Sequence, residues 1–517
     1  ALNESHTRGL FIRLEPMEGA WARMEDLVEG LKEARKAQKP IYCHFEEADN
    51  VSYALAAAGC DRITMSPAGM INLTGTAVEV LYARELLDKV GIHAQMLQIG
   101  RYKGAADSLT HKTMPPESRE SLGAIVNDLQ DSLIQGLRSR KTLHNAHIQT
   151  LFEHGPYTPE DSLKAGLIDA IEFADQTRYA LKTQTHTTKV TALSSDDTKG
   201  IDISELVKQF TSHSKQDEKS SEPRIALMVL EGTIVDADSD GANGIRSAPV
   251  IQALRHIEYD DAIKSVVLRI NSPGGSALAS DEIWHAVRSV VRKKPVIASI
   301  GDMAASGGYY IASASTTIMA QRTSLVGSIG VVGGKISVAG AAEKLGVHAE
   351  LIQSTSYGGW LSPLRPFSES QQQRLHHLLQ TTYERFLKRV AEGRNKPENQ
   401  IELAAQGRLF TGQRAQQSGL IDAFGGLGAA LAKARTLGYV DASTPIEIWP
   451  EQRNLGEVLI RALGGINTHT PQLADNSRIQ TVVSQWNTAT TSSPLLFAFL
   501  NSHQPVLCVL PYQLEIR

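Results

Sequence analysis

The chain repeats itself. Lys39-Pro40 stands before IYCHF, and Lys294-Pro295 stands before VIASI, 255 residues later. Gly91-Ile92-His93-Ala94 returns as Gly346-Val347-His348-Ala349, and Tyr102 as Tyr357, both at the same offset. GLID at 166–169 returns at 419–422, 253 residues on. Matches held in one register over so long a stretch mean two homologous halves. Whatever one half folds into, the chain must build twice.

Each half alternates short apolar runs with helical patterns. In the second, RIALMVL (224–230), SVVLRI (265–270), PVIASI (295–300) and TTIMA (316–320) read as buried strands. Between them Ile283, Ala286, Val287, Val290 and Val291 fall at helical spacing. Strand–helix–strand alternation indicates parallel βαβ units. A long helix follows in each half. Ser368 and Gln371 are placed to form a capping box, ahead of a stripe of Leu375, Leu378, Leu379, Phe386, Leu387 and Val390. Pro116 opens its counterpart, which carries Leu122, Ile125, Val126, Leu129 and Leu133.

The expected organisation is a first repeat over 1–193, a polar linker over 194–223, a second repeat over 224–440 and a C-terminal extension over 441–517. The counterpart of Arg224 would fall upstream of Ala1. The first repeat is therefore expected to lack about one leading strand and helix, with an apolar anchoring helix encoded further upstream.

Charge and cysteine content narrow the function. The net charge is −4 and basic residues form no long run, which argues against nucleic acid as a partner. Cys43, Cys60 and Cys508 show no CxxC spacing and suggest neither a disulfide framework nor a metal site. No cofactor motif fits: GVVGGKIS (330–337) resembles a phosphate loop, but Ile336 stands where a Ser or Thr is needed after Lys335. No stretch of 18 apolar residues is present to span a membrane.

Two loops are left as candidates for chemistry. NSPGG (271–275) follows a strand, so Gly274 and Gly275 either end that strand in an ordinary turn or aim N–H groups at a developing oxyanion. In GDMAASGGYYIA (301–312) Ser306 is either a nucleophile or a small polar residue in a crowded turn, with the Gly307 N–H beside it. If the two strands are neighbours, both loops leave the carboxyl edge of the sheet, where open α/β sheets bind ligands. A nucleophilic Ser needs a base. No His lies in either loop, and a lysine serves only when neutral, which burial favours. Lys103, in GRYKGAAD (100–107), follows the apolar stretch AQMLQI. At the 255-residue offset Lys103 faces Gly358, and Ser306 faces Val51. The first half's PGG position reads PMEG (16–19). Each half thus lacks what the other keeps, as expected for one composite site.

VLRINSPGGSALAS, GDMAASGGYYIAS, TSLVGSIGVVGG and GRYKGAAD together closely resemble the signal peptide peptidase A family of Ser-Lys peptidases, in its long, two-half bacterial form. The resemblance covers nearly the whole chain. It implies an α/β fold of the Clp protease/crotonase type, a superhelix of βα units duplicated in tandem. It implies Ser306 as nucleophile, Lys103 as general base, and Gly274, Gly275 and Gly307 around the oxyanion. It also implies apolar signal peptides as substrates, a membrane-anchored place in the cell envelope, and a homo-oligomer, tetrameric in the long form. Two features depart from the family pattern: the anchor is absent, and Gly104 stands where a Ser is expected after the lysine. The PGG loop is shared with crotonases, so an acyl-CoA enzyme is one alternative and an inert scaffold subunit another.

Overall fold

The computed structural model describes residues 7–17, 19–143, 148–187, 222–236 and 244–449, with the backbone of 506–509. The expected linker, apart from its last two residues, lies outside the described residues. In chain order the first half supplies β1 (Leu10–Leu14), β2 (Ile41–Ala48), β3 (Arg62–Ile71), β4 (His93–Ile99) and β5 (Ala170–Ile171). The second supplies β6 (Arg224–Glu231), β7 (Ile234–Val235), β8 (Ile245–Arg246), β9 (Ile263–Ser272), β10 (Gly274–Ser276), β11 (Val296–Ala305), β12 (Thr317–Ala320), β13 (Leu325–Gly327) and β14 (Val331–Ser337). They are followed by β15 (Leu409–Thr411), β16 (Ala423–Phe424), β17 (Ile446–Trp449) and β18 (Val506–Val509).

The four apolar runs read as strands in the second half fall on β6, β9, β11 and β12. Their residues are nearly all buried, because helices cover both faces of a parallel sheet. β6, β9 and β11 lie side by side and parallel, with β17 parallel on the outer edge of β6. β1, β2, β3 and β5 form the matching parallel sheet of the first half. Parallel βα units laid down twice are the Clp protease/crotonase-like arrangement expected from the resemblance. Both long helices occur where the stripes place them. Glu369–Arg394 starts at a Ser368/Gln371 capping box, and Pro116–Arg138 has its proline in the first turn.

The two halves share their packing. Ala305, Leu325 and Leu409, all from second-half strands, are buried in the first-half cluster with Phe45, Tyr53, Ile125 and Leu129. Burying each Leu or Ile contributes on the order of 1.5–3 kcal/mol. The halves also share a sheet: β4 pairs antiparallel with β14 along seven residues, from Ile99↔Val331 to His93↔Ser337. This ladder is what carries the lysine loop of one half to the serine of the other.

Two expectations are corrected. The cysteine spacing suggested no disulfide, yet Cys43 on β2 and Cys60, just beyond the helix Asn50–Gly59, are bonded. One helix between them brings the two chain positions back together, which spacing alone does not show. The counterpart of Ser306 is also not Val51. β11 ends at Ala305 and the next helix begins at Gly307, whereas β2 ends at Ala48 and its helix begins at Asn50. Ser306 therefore matches Asp49. The register along each strand shifts at an irregularity, after Ile300 in β11 and after Phe45 in β2, and a fixed offset cannot follow such shifts. The Asp49 carboxylate accepts from the N–H groups of Ser52 and of Met17, the latter in the PMEG stretch. A capping carboxylate thus occupies the first half's version of the site.

Candidate active site

Ser306 sits between the end of β11 and the helix Gly307–Ser313, with φ 53° and ψ −113°. A non-glycine residue rarely holds such a conformation, and one held there marks a site where the surroundings dictate geometry. Its N–H donates to Gly327 O at 2.7 Å, and its carbonyl accepts from Tyr310 N at 2.8 Å. Gly308 cannot carry a side chain, since a Cβ there would lie 2.8 Å from Ser272 O. The small residues around Ser306 therefore let the end of β9 press against the turn.

Lys103 arrives from the opposite side. After β4 the chain turns at Gly100 (φ 113°). Tyr102 N then donates to Gln406 O at 2.7 Å, and Arg101 N to Gln406 Oε1 at 3.0 Å. The Tyr102 ring lies under Arg408, while Tyr102 Oη and Arg408 Nη2 both donate to Glu120. Gly407, at φ 75°, packs directly on the lysine backbone.

These contacts bury Lys103 completely. Its Nζ stands 2.8 Å from Ser306 Oγ. The same Nζ lies 3.1 Å from Ser328 O and 3.0 Å from Ser328 Oγ. Ser306 and Ser328 are fully buried too. The structure thus brings together the two residues that the repeat analysis paired, across 203 positions of sequence. Gly358, the offset partner of Lys103, lies in a turn rather than after a strand equivalent to β4.

Ser328 was not singled out from the sequence. It lies within TSLVGSIGVV, where it reads as one more small residue in a turn. It too holds a left-handed conformation, φ 52°, and its N–H donates to Arg408 O at 2.7 Å. A Ser was expected beside Lys103, where Gly104 stands. The hydroxyl next to the amine comes from Ser328 instead.

The glycine loop forms β10, which lies between β18 and β7 in its sheet. Gly275 is parallel to Ile234 of β7, and a Cβ on it would lie 1.9 Å from Ile234 O. Gly274 N–H donates to Ser272 Oγ at 3.2 Å. Gly307 is the first residue of the helix after Ser306, where N–H groups have no partner within the helix. Among the described residues no cluster of His, Cys, Asp and Glu could hold a metal ion.

The model of peptidase family S49 matches residues 33–188 and 288–441, one segment in each half. The chain belongs to peptidase family S49. This is a family of serine-type peptidases, and the S49 chain resembles relatives named accordingly. It is 30% identical over 431 residues to the chloroplastic serine protease SPPA of Arabidopsis thaliana, covering 83% of this chain and 62% of that one. It is 29% identical to Protease 4 of Haemophilus influenzae, covering 84% and 71% of the two chains. With Protease 4 of Salmonella typhi it shares 28% identity over 510 residues, covering 96% and 80%. None of these three is an acyl-CoA enzyme, so the crotonase alternative gains no support. No described helix of the S49 chain is long and apolar enough to cross a membrane.

Proposed function

We propose that this S49 chain is an endopeptidase of the Ser-Lys type that hydrolyses apolar peptides, among them signal-peptide remnants, at the cell envelope. The observation that carries the reading is the 2.8 Å approach of Lys103 Nζ to Ser306 Oγ inside a fully buried site. A charged ammonium is costly to enclose, which suits Lys103 to the neutral form that a general base needs. A neutral amine has two N–H donors and one lone pair. Ser328 O and Oγ supply two acceptors for the N–H groups, leaving the lone pair for the Ser306 hydroxyl proton.

The reaction is acyl transfer. Lys103 takes the proton as Ser306 Oγ attacks the peptide carbonyl carbon. The negative charge on the carbonyl oxygen is met by the Gly307 N–H and by N–H from the Gly274–Gly275 loop. Lys103 returns the proton to the leaving amine, and water, activated by the same amine, hydrolyses the ester. An anchor upstream of this sequence and a tetrameric homo-oligomer, both implied by the family resemblance, belong to the same proposal. A serine-reactive fluorophosphonate tests the class. Mass spectrometry should place the adduct on Ser306 and find none on the Lys103→Ala protein. Labelling elsewhere, with Ser306 untouched, would reject the reading.

A further inference from the structure

Gln406 holds a left-handed conformation, φ 58°, in the turn just before β15. A residue with a long side chain rarely adopts it, so the surroundings must fix it there. All four of its polar groups are engaged, each by a different residue. Its N–H donates to Tyr383 Oη at 3.2 Å. Its carbonyl accepts from Tyr102 N at 2.7 Å, and its Oε1 accepts from Arg101 N at 3.0 Å. Its Nε2 donates to Glu402 Oε1. The amide fits only one way round, since a backbone N–H needs an acceptor and a carboxylate needs a donor.

Two of those partners stand directly before Lys103, and the other two belong to helices of the second half. Tyr383 is buried on the helix Glu369–Arg394, and Glu402 lies on Glu398–Ala404. Tyr383 Oη donates to Glu402 Oε2 at 2.9 Å, which closes a triangle of Tyr383, Glu402 and Gln406. The next two residues of the turn hold the loop that carries Ser328. Gly407 N donates to Ile329 O, and Ser328 N to Arg408 O, both at 2.7 Å. One turn therefore holds both segments that meet at the lysine amine. These are the loop leading into Lys103 and the loop whose Ser328 O and Oγ lie beside Nζ.

We infer that Gln406 is a positioning residue for the base. Locked by Tyr383 and Glu402, its side chain and carbonyl set where Lys103 Nζ stands relative to Ser306. This rests on the Ser-Lys reading above. None of the four partners of Gln406 is a member of the dyad, so it acts through the lysine loop. The two ends of an amide turn together, so Oε1 stays on Arg101 N only while Glu402 holds Nε2.

Exchanging the two polar ends tests this. Gln406→Glu keeps an acceptor for Arg101 N but sets a carboxylate against Glu402, so the side chain must swing away. Adding Glu402→Gln restores every bond with roles reversed. The amide at position 402 then donates to the carboxylate at 406, and its oxygen accepts from Tyr383. Steady-state kinetics on an apolar reporter peptide, with thermal melts for folding, read the outcome. Gln406→Glu should lose about 100-fold in kcat, the cost of a shift of about 1 Å at a reacting group, with KM little changed. The double variant should return to within about threefold of wild-type kcat, since the two sites are in contact and not additive. Wild-type kcat in Gln406→Glu overturns the inference. So does a double variant that regains neither kcat nor fold over the single one. Lys103→Ala separates the two readings. If it keeps wild-type kcat, the Ser-Lys reading fails and the inference falls with it. If it is inactive while Gln406→Glu is not, the inference alone fails.

Discussion

Lys103 and Ser306 meet at 2.8 Å although 203 residues separate them. They meet because β4 of one half is a strand in the second half's sheet. The dyad is thus a property of the pairing between halves, and neither half holds both members.

Exchanging either member should remove turnover. Ser306→Ala deletes one hydroxyl without adding volume, so the fold should hold while peptide hydrolysis falls by several orders of magnitude. Lys103→Arg should fail equally, since a guanidinium stays charged and cannot take the proton. Because only the neutral amine is a base, kcat/KM of the wild type should rise from acid to alkaline pH. Steady-state assays with circular dichroism as a folding control check all three. Near-normal turnover by Lys103→Arg would remove lysine from the mechanism.

Ser328 should matter for rate more than for binding. Its Oγ stands 3.0 Å from Lys103 Nζ. Lys103 becomes charged as it takes the serine proton, and a hydrogen bond to a charged group is worth about 1.5–3 kcal/mol, so Ser328→Ala should lower kcat about 10–100-fold. KM should change little, because Ser328 is enclosed beneath the dyad. Ser328→Thr keeps the hydroxyl and should recover part of the loss if space permits the methyl group. An unchanged kcat in Ser328→Ala would make the contact incidental.

Gly275 tests the loop. A Cβ there would lie 1.9 Å from Ile234 O, so Gly275→Val must push β10 away from β7. The loop carries one of the proposed oxyanion donors, and loss of one such donor costs about 10²–10³ in kcat. Activity should therefore drop much further than Tm. Wild-type turnover in this variant would mean the loop is only a turn.

The sequence carried the parts of the site that local chemistry marks. Ser306 stood out by its small neighbours, and Lys103 by the repeat that lacks a lysine in its other copy. The strands β6, β9, β11 and β12 were legible because burial on both faces demands continuous apolar runs. The rest depended on long-range geometry. Ser328 and Gly407 are ordinary turn residues until folding sets them beside Lys103. The match of Ser306 to Asp49 was hidden by strand irregularities that shift the register. The strand at 506–509 was not singled out from the sequence, since its partners lie more than 170 residues away.

Glu25 ties stability to pH at the contact between halves. It lies on the helix Trp21–Lys36, and its carboxylate accepts from Arg322 N. Burial pushes its pKa up from 4.5 to about 7. A carboxyl group raised in the folded state favours folding while it is protonated, so its contribution is complete below pH 4.5. That contribution is lost as pH rises from 4.5 through about 7. Glu25→Gln stays neutral and should gain Tm relative to wild type at pH 8, with little difference at pH 4.5. Thermal melts at the two pH values decide it; an equal difference at both would mean that Glu25 does not titrate in this range.

Gly407 gives the sharpest test of how the lysine is positioned. It adopts φ 75°, and a Cβ built on it would fall 2.5 Å from Lys103 Cβ and 2.6 Å from Lys103 N. Both of those are atoms close to the main chain, and a flexible side chain cannot swing aside to relieve the contact. Gly407→Ala must therefore move the Lys103 loop or its own turn. The neighbouring Gln406 carbonyl receives Tyr102 N–H, so the two segments shift together or separate. A displacement of even 1 Å at a reacting group can cost about 100-fold in rate. The helix Pro116–Arg138 and the second-half sheet lie outside this contact, so the core should persist. Gly407→Ala is expected to fold, to lose about 100-fold in kcat, and to lose fluorophosphonate labelling of Ser306 in proportion. Full labelling in a protein with wild-type kcat would show that the lysine loop tolerates the shift, and that the close packing of Gly407 does not set the position of the base.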